Sequence, residues 1–190
     1  MKRITQPKHF ENEISSTLDA FFRSFKIAGI LRRVGANKAK GIPVAIVFKK
    51  LFTLAFSHKT LFMELESGMY TDAAKDTFYR FLNSCRINWM RFTTLLAALM
   101  VNDKLIGLTG EERVNVFIID DSPYERNRSK AVELLSRVYD HSKKVYIRGF
   151  RMLTLGWSDG NTFVPVNSCL LSSENAKNRF QEAPSQAKRT

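Results

Sequence analysis

Apolar residues recur every three or four positions through the first part of the chain, which is the pattern of amphipathic helices. One such stripe consists of Ile14, Leu18, Phe21, Phe22 and Phe25. A second helix is expected from Pro43, which suits the first helical position, and a third after an N-cap at Thr71 or Asp72. A fourth covers the segment INWMRFTTLLAALMV. The pattern therefore predicts a helical domain over residues 1–112.

After Arg113 the apolar period shortens to that of strands. Three segments rich in β-branched and aromatic residues predict strands: VNVFIID, VYIRGFRMLTLGW and TFVPVNSCLL. The SDGN sequence predicts a hairpin between the second and third strands, and Pro165 indicates that the third lies at an edge or contains a bulge. The segment SKAVELLSRVYD predicts a short helix. From residue 172 to residue 190 the chain is polar and basic, and a loose tail is expected.

This order predicts an α+β fold, in which the helical domain is followed by a three-stranded meander over residues 113–171. Such a meander has open edges, and no later helix is available to cover it. We therefore expect an incomplete sheet in a chain that is cut short.

The net charge of +12 is spread over both halves of the chain, and a broad positive field attracts polyanions such as nucleic acid. The 2 cysteines are far apart and the 3 histidines have no zinc-ligand spacing, which favours a reducing compartment without structural zinc. No secretory signal and no membrane-length apolar run is present. We expect a cytoplasmic protein that has no membrane contact and no small-molecule cofactor.

Two adjacent carboxylates, Asp120 and Asp121, end the first predicted strand. Mg²⁺ prefers oxygen ligands of this kind, and two such ions about 4 Å apart would activate water for phosphodiester cleavage. Alternatively, Asp121 or Ser122 caps a turn before Pro123. Because side chains alternate along a strand, the two aspartates are not expected to face the same site.

The run FIIDDSPYERNRSKAVELLSRVYDH and the later RMLTLGWSDGNTFVPVNSCLLSSE resemble the catalytic domain of DDE-type transposases from bacterial insertion sequences. In these enzymes a helical domain precedes an RNase H-like core, and AKDTFYRFLNS and INWMRFTTLL resemble that helical domain. The resemblance implies a DNA transposase that uses Mg²⁺ or Mn²⁺. It implies that Asp120, or alternatively Asp121, is the catalytic and metal-binding aspartate. It also implies transposon ends as the partner, and we expect self-association.

The family requires a second Asp and a Glu on later elements, and the chain ends before either. Asp159 lies in the predicted hairpin turn, roughly 20 to 30 Å from Asp120 at the usual rise of a strand. Glu133 and Asp140 belong to the predicted short helix and are interpreted as surface acids. We therefore expect a truncated transposase that does not hold the metal stably and does not cleave DNA alone. Whether the chain is itself an enzyme stays open.

Two basic segments are candidates for DNA contact. The third predicted helix buries Ala74, Thr77, Phe78, Phe81 and Leu82 and turns a polar face outward, as a recognition helix or as an ordinary solvated face. That face consists of Lys75, Tyr79, Arg80 and Asn83. After the first strand, Arg126, Arg128 and Lys130 would hold the DNA backbone or neutralise the aspartates. The alternative functions are a non-catalytic basic DNA-binding module that occupies transposon ends and a different RNase H-like nuclease.

Overall fold

The computed structural model of the chain describes residues 8–57, 59–66, 68, 73–110, 112–130 and 132–182. The chain forms two compact units, residues 1–100 and residues 101–190. The first unit is helical and the second contains an antiparallel sheet, so the predicted α+β class is confirmed.

The described part of the first unit contains six α-helices: α1 (Lys8–Ser24), α2 (Ile27–Arg33), α3 (Val44–Ser57), α4 (Leu61–Glu66), α5 (Lys75–Leu82) and α6 (Trp89–Met100). Helices α2 and α4 were not among the helices that the sequence pattern predicts. In the second unit, a π-helical turn at Val101–Leu105 and a 3₁₀ turn at Ile106–Leu108 precede the sheet. None of the described helices is both long and apolar enough to span a bilayer.

Aromatic side chains dominate the core of the helical unit. Phe48 of α3 packs against α6, with ring centroids 5.2 Å from Phe92 and 6.0 Å from Trp89. Of the stripe predicted along α1, Leu18 is buried and the three phenylalanines pack against this core, while the side chain of Ile14 lies outside the described residues. This core fixes the position of α5, which buries Phe78 and Phe81 in it.

Helix α5 begins later and buries less than the sequence predicts. Its N-cap is Ala74, which has an extended backbone and no capping side chain, and the predicted caps Thr71 and Asp72 lie outside the described residues. Ala74 and Leu82, both predicted to be buried, are exposed, and Thr77 is half-buried. The helix has only two turns, so Phe78 and Phe81 alone reach the core.

The sheet of the second unit has four described strands: β1 (Val116–Glu125), β2 (Ser136–Asp140), β3 (Val145–Ser158) and β4 (Phe163–Leu171). The long strand β3 pairs antiparallel with the other three. Gly149 pairs with both Glu125 of β1 and Ser136 of β2, and Arg151 pairs with both β1 and β4. Strand β1 therefore lies along one edge of β3, and β2 and β4 follow each other along the opposite edge. Strands β1, β3 and β4 form the predicted meander.

Strand β2 replaces the short helix that was predicted between the first two strands. Burial alternates along it, with Ser136, Val138 and Asp140 buried and Arg137 exposed between them. This is the period of a strand, and it is imposed by pairing with β3, a partner that is distant in sequence. The prediction of a helix over this segment is therefore wrong.

The third predicted strand behaves as Pro165 indicates. Leu155 pairs with Asn167, while the next residue, Gly156, pairs with Pro165, so Val166 forms a bulge. Within the described residues, β4 pairs only with β3. Both features that a proline favours in a strand, the edge position and the bulge, are confirmed.

The tail that was expected to be loose is ordered over residues 172–182. The Ser172 hydroxyl donates a hydrogen bond of 2.6 Å to the Leu134 carbonyl, and the Phe180 amide donates one of 2.7 Å to the Leu135 carbonyl. Arg179 forms a β-bridge with Ser136 of β2. Residues 172–182 lack the regular apolar spacing of a helix or a strand, so the sequence pattern does not predict these contacts. Residues 183–190 of the predicted tail lie outside the described residues.

Candidate functional site

Strand β1 is apolar and yet exposed. Phe117 and Ile119 on one face are 72% and 69% exposed, and Val116 and Ile118 on the other are each 40% exposed. Within the described ranges β1 pairs only with β3, so one of its edges is open. Its two aspartates are therefore at the surface and need no compensation for burial. The strand also continues to Glu125, so Asp120 and Asp121 lie in its middle and not at its end.

The two aspartates have different partners on opposite faces of β1. The Asp121 carboxylate forms an ion pair of 2.8 Å with Arg151 of β3. One Asp120 oxygen accepts a hydrogen bond of 3.0 Å from the Ser122 hydroxyl. Among the residues that the structure describes, no cation pairs with Asp120. The alternation predicted from the sequence thus separates one neutralised carboxylate from one that remains available to a ligand.

The basic residues after β1 do not neutralise the aspartates. Arg126 donates a hydrogen bond of 2.8 Å to the Tyr124 hydroxyl and lies over the ring of the same tyrosine. Arg128 and Lys130 are exposed, and none of the three basic residues forms an ion pair with either aspartate in the described part of the chain. Arg151 neutralises Asp121 instead. This role has no local signal in the sequence, because only the cross-strand register brings the two residues together.

The hairpin acid, Asp159, is a turn residue as expected. Asp120 pairs with Thr154, five positions before Asp159, which gives a separation of roughly 17 Å, shorter than the sequence-based distance but still too long to share an ion. Hydrogen bonds from the Thr162 and Asn161 amides lower the pKa of Asp159 below its ordinary value. Its other oxygen forms an ion pair of 3.6 Å with Arg113, so the carboxylate is engaged at the hairpin and not at Asp120.

The two acids assigned to the predicted helix also lie away from Asp120. Asp140 ends β2, is buried, and accepts hydrogen bonds from the Ser142 and Lys143 amides. Glu133 is exposed in the loop before β2. Asp140 is therefore not the surface acid that was expected, because it caps the β2–β3 turn.

The fit to a divalent metal is incomplete. Asp120 supplies one carboxylate, and Mg²⁺ takes such ligands together with substrate phosphate. Nowhere in the described ranges do three His, Cys, Asp or Glu side chains come together in a metal-binding group. These residues do not fit a pair of metal ions by themselves, although Asp120 fits the role of one ligand.

The second candidate surface is the outward face of α5. Lys75, Tyr79, Arg80 and Asn83 are all exposed on it, as the sequence predicts. The Lys75 amine lies 5.8 Å from the Tyr79 ring centroid, and Arg80 donates a hydrogen bond to the Asp76 carbonyl. Arg80 and Asn83 also line an open cavity of about 620 Å³ together with Lys38 and Arg86. Lys38 lies in the loop after α2, and its approach to α5 has no signal in the sequence.

Comparison with known proteins identifies the class. Residues 59–190 match a family model described as DDE superfamily endonuclease, a match that covers more than half of the 190-residue chain. The chain therefore belongs to this superfamily, as its resemblance to DDE transposases implies. Members act on DNA and generally use divalent metal ions. No curated protein and no solved structure matches the chain.

Proposed function

We propose that this chain is part of the DNA transposase of a bacterial insertion sequence and acts in the cytoplasm on transposon ends. Residues 113–171 would form the first part of the catalytic domain, and residues 1–112 would contact DNA. The proposal rests on the surroundings of Asp120, which lies on β1 of a chain that belongs to the DDE superfamily. Its carboxylate is exposed and has no cationic partner among the described residues, while the neighbouring Asp121 is neutralised by Arg151.

Each side chain at this site has a distinct role in the proposed function. The Ser122 hydroxyl holds one Asp120 oxygen, which leaves the other oxygen for a divalent cation such as Mg²⁺ or Mn²⁺. A cation held by Asp120 would supply Lewis-acid chemistry for phosphodiester cleavage. Arg126, Arg128 and Lys130 hold phosphates of the DNA backbone after the end of β1.

We also propose that the chain does not cleave DNA by itself. One available carboxylate does not position two metal ions, and the described residues bring no further acids to it. The exposed apolar side chains and the open edge of β1 support a sheet that is completed by protein outside the described residues. In the absence of that protein, the same edge is open to a second copy of the chain, which would account for self-association.

A plasmid-nicking assay tests the catalytic part of the proposal. We expect the wild-type chain and Asp120→Asn to leave supercoiled DNA equally intact in Mg²⁺ and in Mn²⁺, because one carboxylate cannot hold the metal pair. Nicking by the wild type that disappears in Asp120→Asn would show a complete active site and would refute the proposed inactivity. Nicking that persists in Asp120→Asn would exclude Asp120 as the metal ligand.

The exposed face of α5 favours a second function, that of a basic DNA-binding module that occupies transposon ends without cleaving them. We expect the double variant Lys75→Ala/Arg80→Ala to bind duplex DNA about tenfold more weakly near 0.1 M salt. The slope of log K against log salt should fall by about 2, because two phosphate contacts are lost. Fluorescence anisotropy with a labelled duplex from the flanking inverted repeats measures both quantities.

The matched control is Lys104→Ala/Lys177→Ala, which removes the same charge from exposed residues outside α5. This control should retain most of the affinity and of the salt slope. An equal loss in both double variants would mean that DNA is attracted by net charge alone and would contradict a DNA-binding role for α5.

A further inference from the structure

The β2–β3 hairpin extends beyond the end of β1. The last residue of β1, Glu125, pairs with Gly149, whereas β2 pairs with residues 145–149 of β3. Residues 136–148 therefore form an arm, called here the β2–β3 arm, that continues the sheet past β1. The sequence pattern does not predict this arm, because it predicts a helix over part of it.

One face of the arm is largely buried, and the other carries rings and guanidinium groups. Val138 and Ile147 belong to the buried face. On the opposite face Arg137 pairs across the strands with Arg148, and Tyr139 pairs with Tyr146. Phe180 of the ordered tail adds a further ring to this surface. The Arg–Tyr face is defined by Arg137, Tyr139, Tyr146, Arg148 and Phe180.

The groups of the Arg–Tyr face contact one another: each arginine lies over a ring, and the two tyrosine rings meet edge to face. The Arg137 guanidinium lies 4.0 Å from the Tyr146 ring centroid, and the Arg148 guanidinium lies 4.2 Å from that of Phe180. The ring centroids of Tyr139 and Tyr146 are 5.0 Å apart. Tyr146 is nevertheless 61% exposed. The result is a row of planar groups that is pre-arranged and open to solvent.

The charge of this face is not balanced within the described residues. Arg137 and Arg148 face each other across the strands, an arrangement in which like charges repel. Neither arginine forms an ion pair with a described residue, whereas the nearby Lys143 is paired with Glu125 and Asp140. Asp140 belongs to the buried side of the arm. A bound polyanion would remove the repulsion between the two arginines.

Exposed aromatic rings beside arginines are the usual means of binding single-stranded nucleic acid. Bases of a single strand stack on the rings, and cations contact the phosphates. A duplex offers only its phosphates to such a surface, because its bases are already stacked in pairs. The chemistry of the Arg–Tyr face therefore favours a single strand over a duplex.

We propose that the Arg–Tyr face binds single-stranded DNA, with a base stacked on Tyr146 and phosphates held by Arg137 and Arg148. The choice of DNA as the polyanion rests on the proposed function. The surface itself is independent of Asp120 and of any metal, so single-strand binding and strand cleavage can fail separately.

The test uses the full 190-residue chain and a labelled oligothymidylate of about 15 nucleotides, with a duplex of equal length for comparison. Tyr146→Ala should weaken oligothymidylate binding about tenfold, through the loss of one stacked base, and should change duplex binding by less than about twofold. Tyr146→Phe keeps the ring and should bind as the wild type does. Because Tyr146 is largely exposed, both variants should unfold at the wild-type temperature.

Three results would overturn the proposal. The first is unchanged oligothymidylate affinity in Tyr146→Ala. The second is an equal loss of affinity for the duplex. The third is displacement of oligothymidylate by polyglutamate of equal charge with the same dependence on Tyr146, which would identify an acidic protein as the partner. Oligothymidylate binding is measured without a divalent metal and without cleavage, so a failure of the catalytic proposal leaves this test intact.

Discussion

A chain in which alanine replaces Phe78 is expected to lose about 3 to 5 kcal/mol of the free energy of unfolding of its helical unit. Phe78 has 0% of its surface exposed and lies in the core shared by α2, α3, α5 and α6. Truncation removes the buried ring and leaves a cavity that the surrounding aromatic side chains fill only in part. Since the free energy of unfolding of such a domain is only about 5 to 15 kcal/mol, the loss would leave the helical unit marginally stable.

Thermal unfolding followed by circular dichroism measures this effect, and Leu82→Ala provides the matched control. Leu82 belongs to the same helix but is 48% exposed, so its truncation should cost less than about 1 kcal/mol. Duplex DNA binding should fall with the folded fraction in Phe78→Ala, since the core presents the polar face of α5. Equal destabilisation by the two substitutions would mean that α5 is not anchored through Phe78.

Helix α5 also shows which structural features a local sequence pattern predicts and which it does not. The apolar spacing correctly predicts the helix and its exposed polar residues, since both depend on local periodicity. It does not predict the N-cap at Ala74 or the exposure of Leu82. These depend on where neighbouring helices end, which a single segment does not encode. Local signals likewise predict the bulge at Pro165, because a missing amide has the same effect in any sheet.

Features that depend on strand register have no local signal in the sequence. Alternation along β1 predicts that Asp120 and Asp121 point in opposite directions, but the choice of the available carboxylate depends on Arg151, 30 residues from Asp121. The Arg–Tyr face was missed for the same reason. Val132, Leu135 and Tyr139 have helical spacing, whereas pairing with β3 makes Ser136–Asp140 a strand and brings Tyr139 beside Tyr146.

The open edge of β1 leads to the second large effect, the loss of self-association in Ile119→Lys. An exposed apolar edge strand is a template for pairing with another chain, and a lysine on such a strand prevents that pairing. We expect the mass of the wild-type chain to rise with concentration in sedimentation equilibrium. Ile119→Lys should remain monomeric at concentrations at least about tenfold higher, because a charge would be desolvated in the paired sheet. Ile119 lies on the face opposite Asp120, so the substitution does not touch the carboxylate that we propose as a metal ligand.

Val114→Lys separates an effect of this edge from an effect of added charge. Val114 is 75% exposed, precedes β1 and has no strand partner in the described ranges, so the same increase in charge should leave self-association nearly unchanged. If both lysine variants are equally monomeric, general repulsion between basic chains is responsible. If neither differs from the wild type, copies associate through another surface, and the exposed side chains of β1 need a different partner. Dissociation in Ile119→Lys alone would identify β1 as the edge at which the sheet is completed.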